Sequence, residues 1–224
     1  MNKLSLLLNA MIKFACGLLL VGLMLFIPAG TLRYPNAWLF AGLLFLPMLI
    51  LGAVLLCKSP DLLKKRLNSK EKQRTQKSVV ALAGLLFPAG FIVAGLDFRF
   101  GWSKMPAWVV IAASAILLIS YSLYAEVMRE NAYLSRTIEV QKGQTVVDTG
   151  LYGVIRHPMY AVTIWLFLSI PLVLGSWFAL LCFLPYPLLL VIRIHNEEAL
   201  LTNELAGYEA YKKKVKYRLI PFIW

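Results

Sequence analysis

Gly150-Leu-Tyr152-Gly-Val-Ile-Arg156-His157-Pro158-Met159-Tyr160 is a polar cluster set in an otherwise apolar chain, and Arg193-Ile-His195-Asn-Glu197-Glu198 is a second. Between them lies almost only apolar sequence, broken at Gly175-Ser176. Both histidines of the protein fall in these two clusters. An apolar run that folds back on itself in a membrane returns the second cluster to the side of the first. The spacing predicts one composite polar site at a single membrane surface, and this is where an active site is expected.

Working outward, 60% of the 224 residues are hydrophobic and only 15% are charged, which argues against a soluble globule. Several runs approach the roughly 20 apolar residues that cross a bilayer core. Spans are expected over 11–32, 37–57, 78–96 and 106–128, with Pro28 and Pro47 as sites of kinks that neighbouring helices can satisfy. The first run competes with a secretory signal, but it is long for one and a second span follows almost at once. Residues 159–174 would make a helix of only about 24 Å against a core of about 30 Å. A second run over 177–194 follows Gly175-Ser176, and Pro171, Pro185 and Pro187 mark the pair as irregular. Ser59-Pro-Asp61 can open a short interfacial helix, with Leu62, Leu63 and Leu67 expected to face lipid. The expectation is an all-α integral membrane protein, a single domain over 1–224 with about six transmembrane passes. The last two passes form a short bent hairpin, and a cytoplasmic helix follows at Tyr208-Glu-Ala-Tyr211-Lys-Lys-Lys214.

The net charge of +12 has a simple origin in such a chain. With the N-terminus inside, the outer turns hold only Arg33, Arg99 and Lys104, and the inner segments hold the other 20 of the 23 Lys and Arg residues. The positive-inside rule therefore places both termini, the 129–158 segment and the 193–224 tail in the cytoplasm. No motif for nucleic acid accompanies the charge. The membrane would be the inner or plasma membrane in a bacterium and the endoplasmic reticulum in a eukaryote. Cys16, Cys57 and Cys182 are isolated, odd in number and without metal-ligand spacing, so neither a disulfide framework nor a metal site is expected.

His157 stands before Pro158, which pushes its backbone out of the helical region and starts a helix at the proline. Arg156, His157 and the first free amides then meet at the water interface, where a helix start favours hydrogen-bond acceptors. The plainer reading is an interfacial cap with Arg156 on lipid phosphate. Arg193 and Glu197, four residues apart, share a helix face. They are either a salt bridge of little worth or, at the end of an apolar span, functional charges. Residues 208–214 read as an interfacial amphipathic helix, and their tyrosines read equally as plain membrane anchors. No Gly-x-Ser-x-Gly, Cys–His pair, dinucleotide fingerprint or P-loop is present. Weak strand character over 138–147 reads equally well as an extended loop.

The combination Gly150-x-Tyr152-x-x-x-Arg156-His157-Pro158-x-Tyr160, Arg193-x-x-x-Glu197-Glu198 and Tyr208-x-x-Tyr211 resembles the isoprenylcysteine carboxyl methyltransferase family of integral membrane enzymes, which in turn resembles the phospholipid N-methyltransferases. The resemblance covers residues 120–224, a methyltransferase-like catalytic region, and leaves the N-terminal spans of 1–119 unmatched. It implies S-adenosylmethionine as cofactor, held without metal by Gln141, Gln144, Thr145, Val146, Val147, Tyr152, His157, Pro158, Met159, Tyr160 and Glu197. It places Arg193 at the family's substrate-contacting, catalytic arginine. It also implies a lipophilic acceptor reached from the bilayer, a prenylated cysteine carboxylate being the name-giving case. A thiol, a lipid amine or another lipid acid suits the residues as well. The ending Tyr217-Arg-Leu-Ile-Pro221-Phe also resembles membrane NADPH-dependent reductases of the sterol or steroid type, although His157-Pro-Met-Tyr160 with Arg193-x-x-x-Glu197 favours the methyltransferase. A transporter or scaffold is the non-enzymatic alternative. The lack of repeated halves speaks against transport, and a scaffold would not need the two clusters to meet.

Overall fold

A computed structural model describes residues 3–67, 74–135 and 137–224, with the backbone alone for 74–78. The described residues contain no strand, so 138–147 is an extended loop. Four long helices come first, with a short one inserted: α1 (Lys3–Ala29), α2 (Pro35–Lys58), α3 (Pro60–Leu67), α4 (Arg74–Phe100) and α5 (Ala107–Glu130). After the 131–157 loop come α6 (Pro158–Val173), α7 (Trp177–Phe183), α8 (Tyr186–Glu204) and α9 (Tyr208–Lys214).

Proline sets several of these boundaries. Pro35 and Pro158 occupy first helical positions, where a missing N–H costs nothing. Pro185 and Pro187 separate α7 from α8, because neither can donate to the preceding turn. The bend expected in the second arm of the hairpin is therefore a break between two helices. Beyond it α8 runs to Glu204, so Arg193 and Glu197 lie inside a helix that continues well past Ile194.

Among the described residues, five stretches are long and apolar enough to cross a membrane: Lys3–Ala29, Pro35–Lys58, Val79–Phe100, Ala107–Glu130 and Trp177–Glu204. The apolar helix Pro158–Val173 is shorter. Leu19, Leu85, Ile111, Trp165 and Leu188 project outward on these helices, the surface a lipid solvent requires. The protein is an integral membrane protein.

Inside, Leu25, Phe40, Phe91, Leu117, Ile170 and Phe183 form the main core. Gly95 lets α4 approach α1, since a Cβ there would lie 2.5 Å from the Leu25 carbonyl oxygen. Close approach through small residues is how helices associate in lipid. The α3 helix departs from expectation: Leu62 and Leu63 are buried against protein rather than turned to lipid. The α3 helix is tucked beside α1 and α2, which offer it apolar surface. Residues 68–73 of the same basic segment lie outside the described residues.

One end of the bundle is closed by a buried polar knot. The Asp97 carboxylate accepts from the Ser103 backbone N–H and hydroxyl, both at 2.6 Å, and from the Ser176 hydroxyl. Ser176 Oγ in turn caps α7 by accepting from Ala179 N–H at 2.9 Å. The Tyr34 hydroxyl donates to the Leu174 carbonyl at 2.6 Å. These bonds gather the α1–α2, α4–α5 and α6–α7 turns at that end. The chain direction then brings α3, the 131–157 loop, the end of α8 and α9 together at the other.

Candidate active site

The two polar clusters meet at a buried carboxylate, Glu198. Its Oε1 accepts from Arg156 Nε at 2.6 Å and lies 3.2 Å from His157 Nε2, and its Oε2 accepts from Arg218 Nε at 2.9 Å. Arg156 Nη1 also donates to the carbonyls of Val215 (2.7 Å) and Lys216 (2.9 Å). Two backbone bonds run beside these contacts, Arg156 N–H to Tyr217 O and His157 N–H to Arg218 O, each at 2.9 Å. The start of α6, the middle of α8 and the C-terminal segment are thus fastened at one point. Arg156 is buried, so it is not a lipid-phosphate cap.

The second constellation is built on Tyr160, one turn into α6. Arg193 Nε donates to the Tyr160 oxygen at 2.8 Å, and the Tyr160 hydroxyl donates to Glu197 Oε2 at 2.5 Å. The buried phenol therefore bridges the acid and the base that α8 presents on one face. The His157 ring stacks on the Tyr160 ring, with centroids 5.6 Å apart, which holds that phenol in place.

The 131–157 loop forms the wall opposite α8. Gly150 has φ +51°, and a Cβ there would collide with the Glu130 carboxylate, which accepts from the Leu151 N–H at 3.0 Å. Gln141 N–H donates to Gln144 Oε1 at 2.9 Å, and the Gln141 amide donates to the Tyr133 carbonyl at 2.5 Å. The α9 helix covers the loop: the Tyr211 hydroxyl donates to the Tyr152 carbonyl at 2.7 Å. Tyr208 and Tyr211 pack with Leu205 and Val215 against Val140, Val146 and Leu201. These tyrosines are interior residues and not interfacial anchors. Burial, the largest cause in each case, holds the Tyr152, Tyr208 and Tyr211 phenols well above their ordinary pKa, so each is a neutral donor.

Between α6, α8, α9 and the loop lies a pocket that opens to solvent at its mouth. Of the residues singled out from sequence, Gln144, Thr145, Val146, Val147, Tyr152, His157, Met159, Tyr160, Arg193 and Glu197 line it. Gln141 and Pro158 do not: the first gives its side chain to the loop, and the second is the buried first residue of α6. Sequence reasoning missed Leu200, Leu201 and Leu205 in the wall, although their helical spacing from Arg193 and Glu197 carried the signal. It also missed Asn131, Tyr133, Leu134, Ser135, Thr137, Ile138 and Glu139, which have no motif.

The α3 helix braces that part of the wall from outside. Lys65 Nζ donates to the Ala132 carbonyl at 3.2 Å, and Arg66 Nη1 donates to the Ser135 carbonyl at 3.4 Å while lying 3.7 Å from Met159 Sδ. Arg66 also contacts the Tyr124 hydroxyl. Among the described residues no group of three His, Cys, Asp or Glu side chains gathers as a metal site.

Residues 109–203 match the profile of the isoprenylcysteine carboxyl methyltransferase (ICMT) family. This segment, less than half of the chain, is similar to that family. It holds α5, the 131–157 loop, α6, α7 and nearly all of α8, and with them Arg156, His157, Tyr160, Arg193, Glu197 and Glu198. Tyr208, Tyr211 and Arg218 lie beyond it, as do α1 to α4. The chain is also similar in fold to a solved eukaryotic intramembrane Ras methyltransferase of the ICMT type, with a TM-score of 0.53 and 20% identity. That match covers 96% of this chain and 77% of the other. No curated protein matches the chain.

Proposed function

We propose that this protein is a membrane methyltransferase that moves a methyl group from S-adenosylmethionine to a lipophilic acceptor, with a prenylated cysteine carboxylate as the acceptor class. The observation that carries the proposal is the Arg193–Tyr160–Glu197 bridge, which lies within residues 109–203 and forms one wall of the pocket. The residues suit the cofactor: Val146, Leu201 and Leu205 offer apolar area for a nucleoside, and the Glu197 carboxylate suits a cationic ammonium or sulfonium group. When bound, the sulfonium supplies an already activated methyl, so a carboxylate acceptor needs neither a metal ion nor a general base.

The protein then has to align and dry the reactants. Glu197 holds the cationic end of the cofactor, and Arg193 points its guanidinium at the acceptor carboxylate. Tyr160 keeps the two at fixed separation, which favours the approach of about 3–3.5 Å that methyl transfer requires. The C-terminal segment, bonded to Arg156 and His157, excludes water from above. Calorimetry on detergent-purified protein tests this reading. S-adenosylhomocysteine should bind with or without a chelator, and NADPH should not. Binding of NADPH alone would replace the proposal with a reductase.

We also propose six passes, with this site and both termini at the cytoplasmic face, on the 20-to-3 distribution of Lys and Arg. Reporter fusions after Lys142 and at the C-terminus should both report cytoplasm. A periplasmic or luminal signal from either one overturns the orientation.

A further inference from the structure

We infer that Tyr208 is a ligand-binding residue whose hydroxyl donates a hydrogen bond to the nucleoside part of the bound cofactor. Tyr208 is 4% exposed and lines the pocket, yet its hydroxyl has no hydrogen-bond partner among the described residues. Tyr211, one turn along the same short helix, sits in the same cluster and donates to the Tyr152 carbonyl at 2.7 Å. Two neighbouring buried phenols therefore differ in one respect. The Tyr211 hydroxyl serves the fold, and the Tyr208 hydroxyl bonds to none of the described residues.

A buried polar group without a partner destabilises a protein, and such groups are rare enough to call for a cause. Phenylalanine would fill the same space without that penalty. Burial keeps the phenol protonated, so it is available as a donor. The wall beside it identifies the acceptor. Val146, Leu201 and Leu205 present apolar area suited to the face of a flat heteroaromatic ring, whereas Glu197, Tyr160 and Arg193 gather the charge. A nucleobase held against that wall would offer a ring nitrogen as the acceptor. The inference rests on the cofactor reading proposed above and adds a contact from outside the family segment.

The test compares the parent with Tyr208→Phe and Tyr211→Phe in three measurements: affinity for S-adenosylhomocysteine, affinity for 5′-methylthioadenosine, and thermal melting of the ligand-free protein. Tyr208→Phe is expected to weaken both ligands about five- to tenfold while leaving the ligand-free melting temperature unchanged or higher. Tyr211→Phe should lower that temperature. Unchanged affinity in Tyr208→Phe overturns the inference, as does a lower ligand-free melting temperature, which would mark the hydroxyl as structural. A loss confined to S-adenosylhomocysteine overturns the assignment to the nucleoside. If the parent itself binds neither ligand, the cofactor reading fails first and this inference falls with it.

Discussion

Glu198→Ala should be the most damaging single substitution in the protein, costing about 3–5 kcal/mol of stability. The change strands the buried Arg156 guanidinium, because Arg156 Nε and His157 Nε2 face the same carboxylate oxygen. Breaking one side of a buried ion pair is worse than never having had it, since the remaining charge stays desolvated. Arg218 also loses its carboxylate, so the C-terminal segment should loosen and become a target for limited proteolysis. Arg218→Ala is the control. Its side chain is partly exposed, so about 1 kcal/mol or less is expected from its removal. The measurement is thermal melting in detergent beside protease digestion. A Glu198→Ala protein that melts like the parent and keeps its C-terminal segment protected would show that Arg156 is held by the Val215 and Lys216 carbonyls alone.

Under the proposed function, Arg193→Lys is expected to lower turnover of a farnesylated cysteine carboxylate by tenfold or more, about 1.4 kcal/mol of barrier, with little change in S-adenosylhomocysteine affinity. A lysine keeps the charge but loses the planar fork and the Nε donor to Tyr160. Under the proposed function, Glu197→Gln should mainly weaken S-adenosylhomocysteine binding, since the negative charge proposed to meet the cationic end of the cofactor is gone. Tyr160 adds a condition that the two charges alone do not suggest. Its hydroxyl bonds to both, so Tyr160→Phe should reduce turnover and cofactor affinity together. In the Tyr160→Phe background, Arg193→Lys should cost less than it does in the parent, because residues in one hydrogen-bonded network are not additive. Additive losses would mean that Arg193 and Glu197 act independently of the phenol. Parent-like binding and turnover in all three variants would make the bridge a structural feature.

Much of this protein was determined by local sequence. Apolar runs of bilayer length decide helix in lipid, because an isolated segment can satisfy its backbone there only within itself. Pro35 and Pro158 mark helix starts through a fixed φ, and an apolar hairpin obliges the clusters at 150–160 and 193–198 to come together. Of the twelve residues that the resemblance implied as cofactor or substrate contacts, ten line one pocket.

Tertiary structure decided which partner each polar group takes. Nothing local distinguishes Glu197, which meets Tyr160, from its neighbour Glu198, which anchors Arg156 and Arg218 from 42 residues upstream and 20 residues downstream. Leu62 and Leu63 turned inward because α1 and α2 offered apolar surface nearby, a choice that a hydrophobic side chain in a membrane cannot announce in sequence. Tyr208 and Tyr211 differ only in what lies within about 3 Å of each hydroxyl. A carboxylate or a phenol declares its chemistry in the sequence. The low-dielectric surroundings that make its pairing costly or useful exist only once distant segments have closed around it.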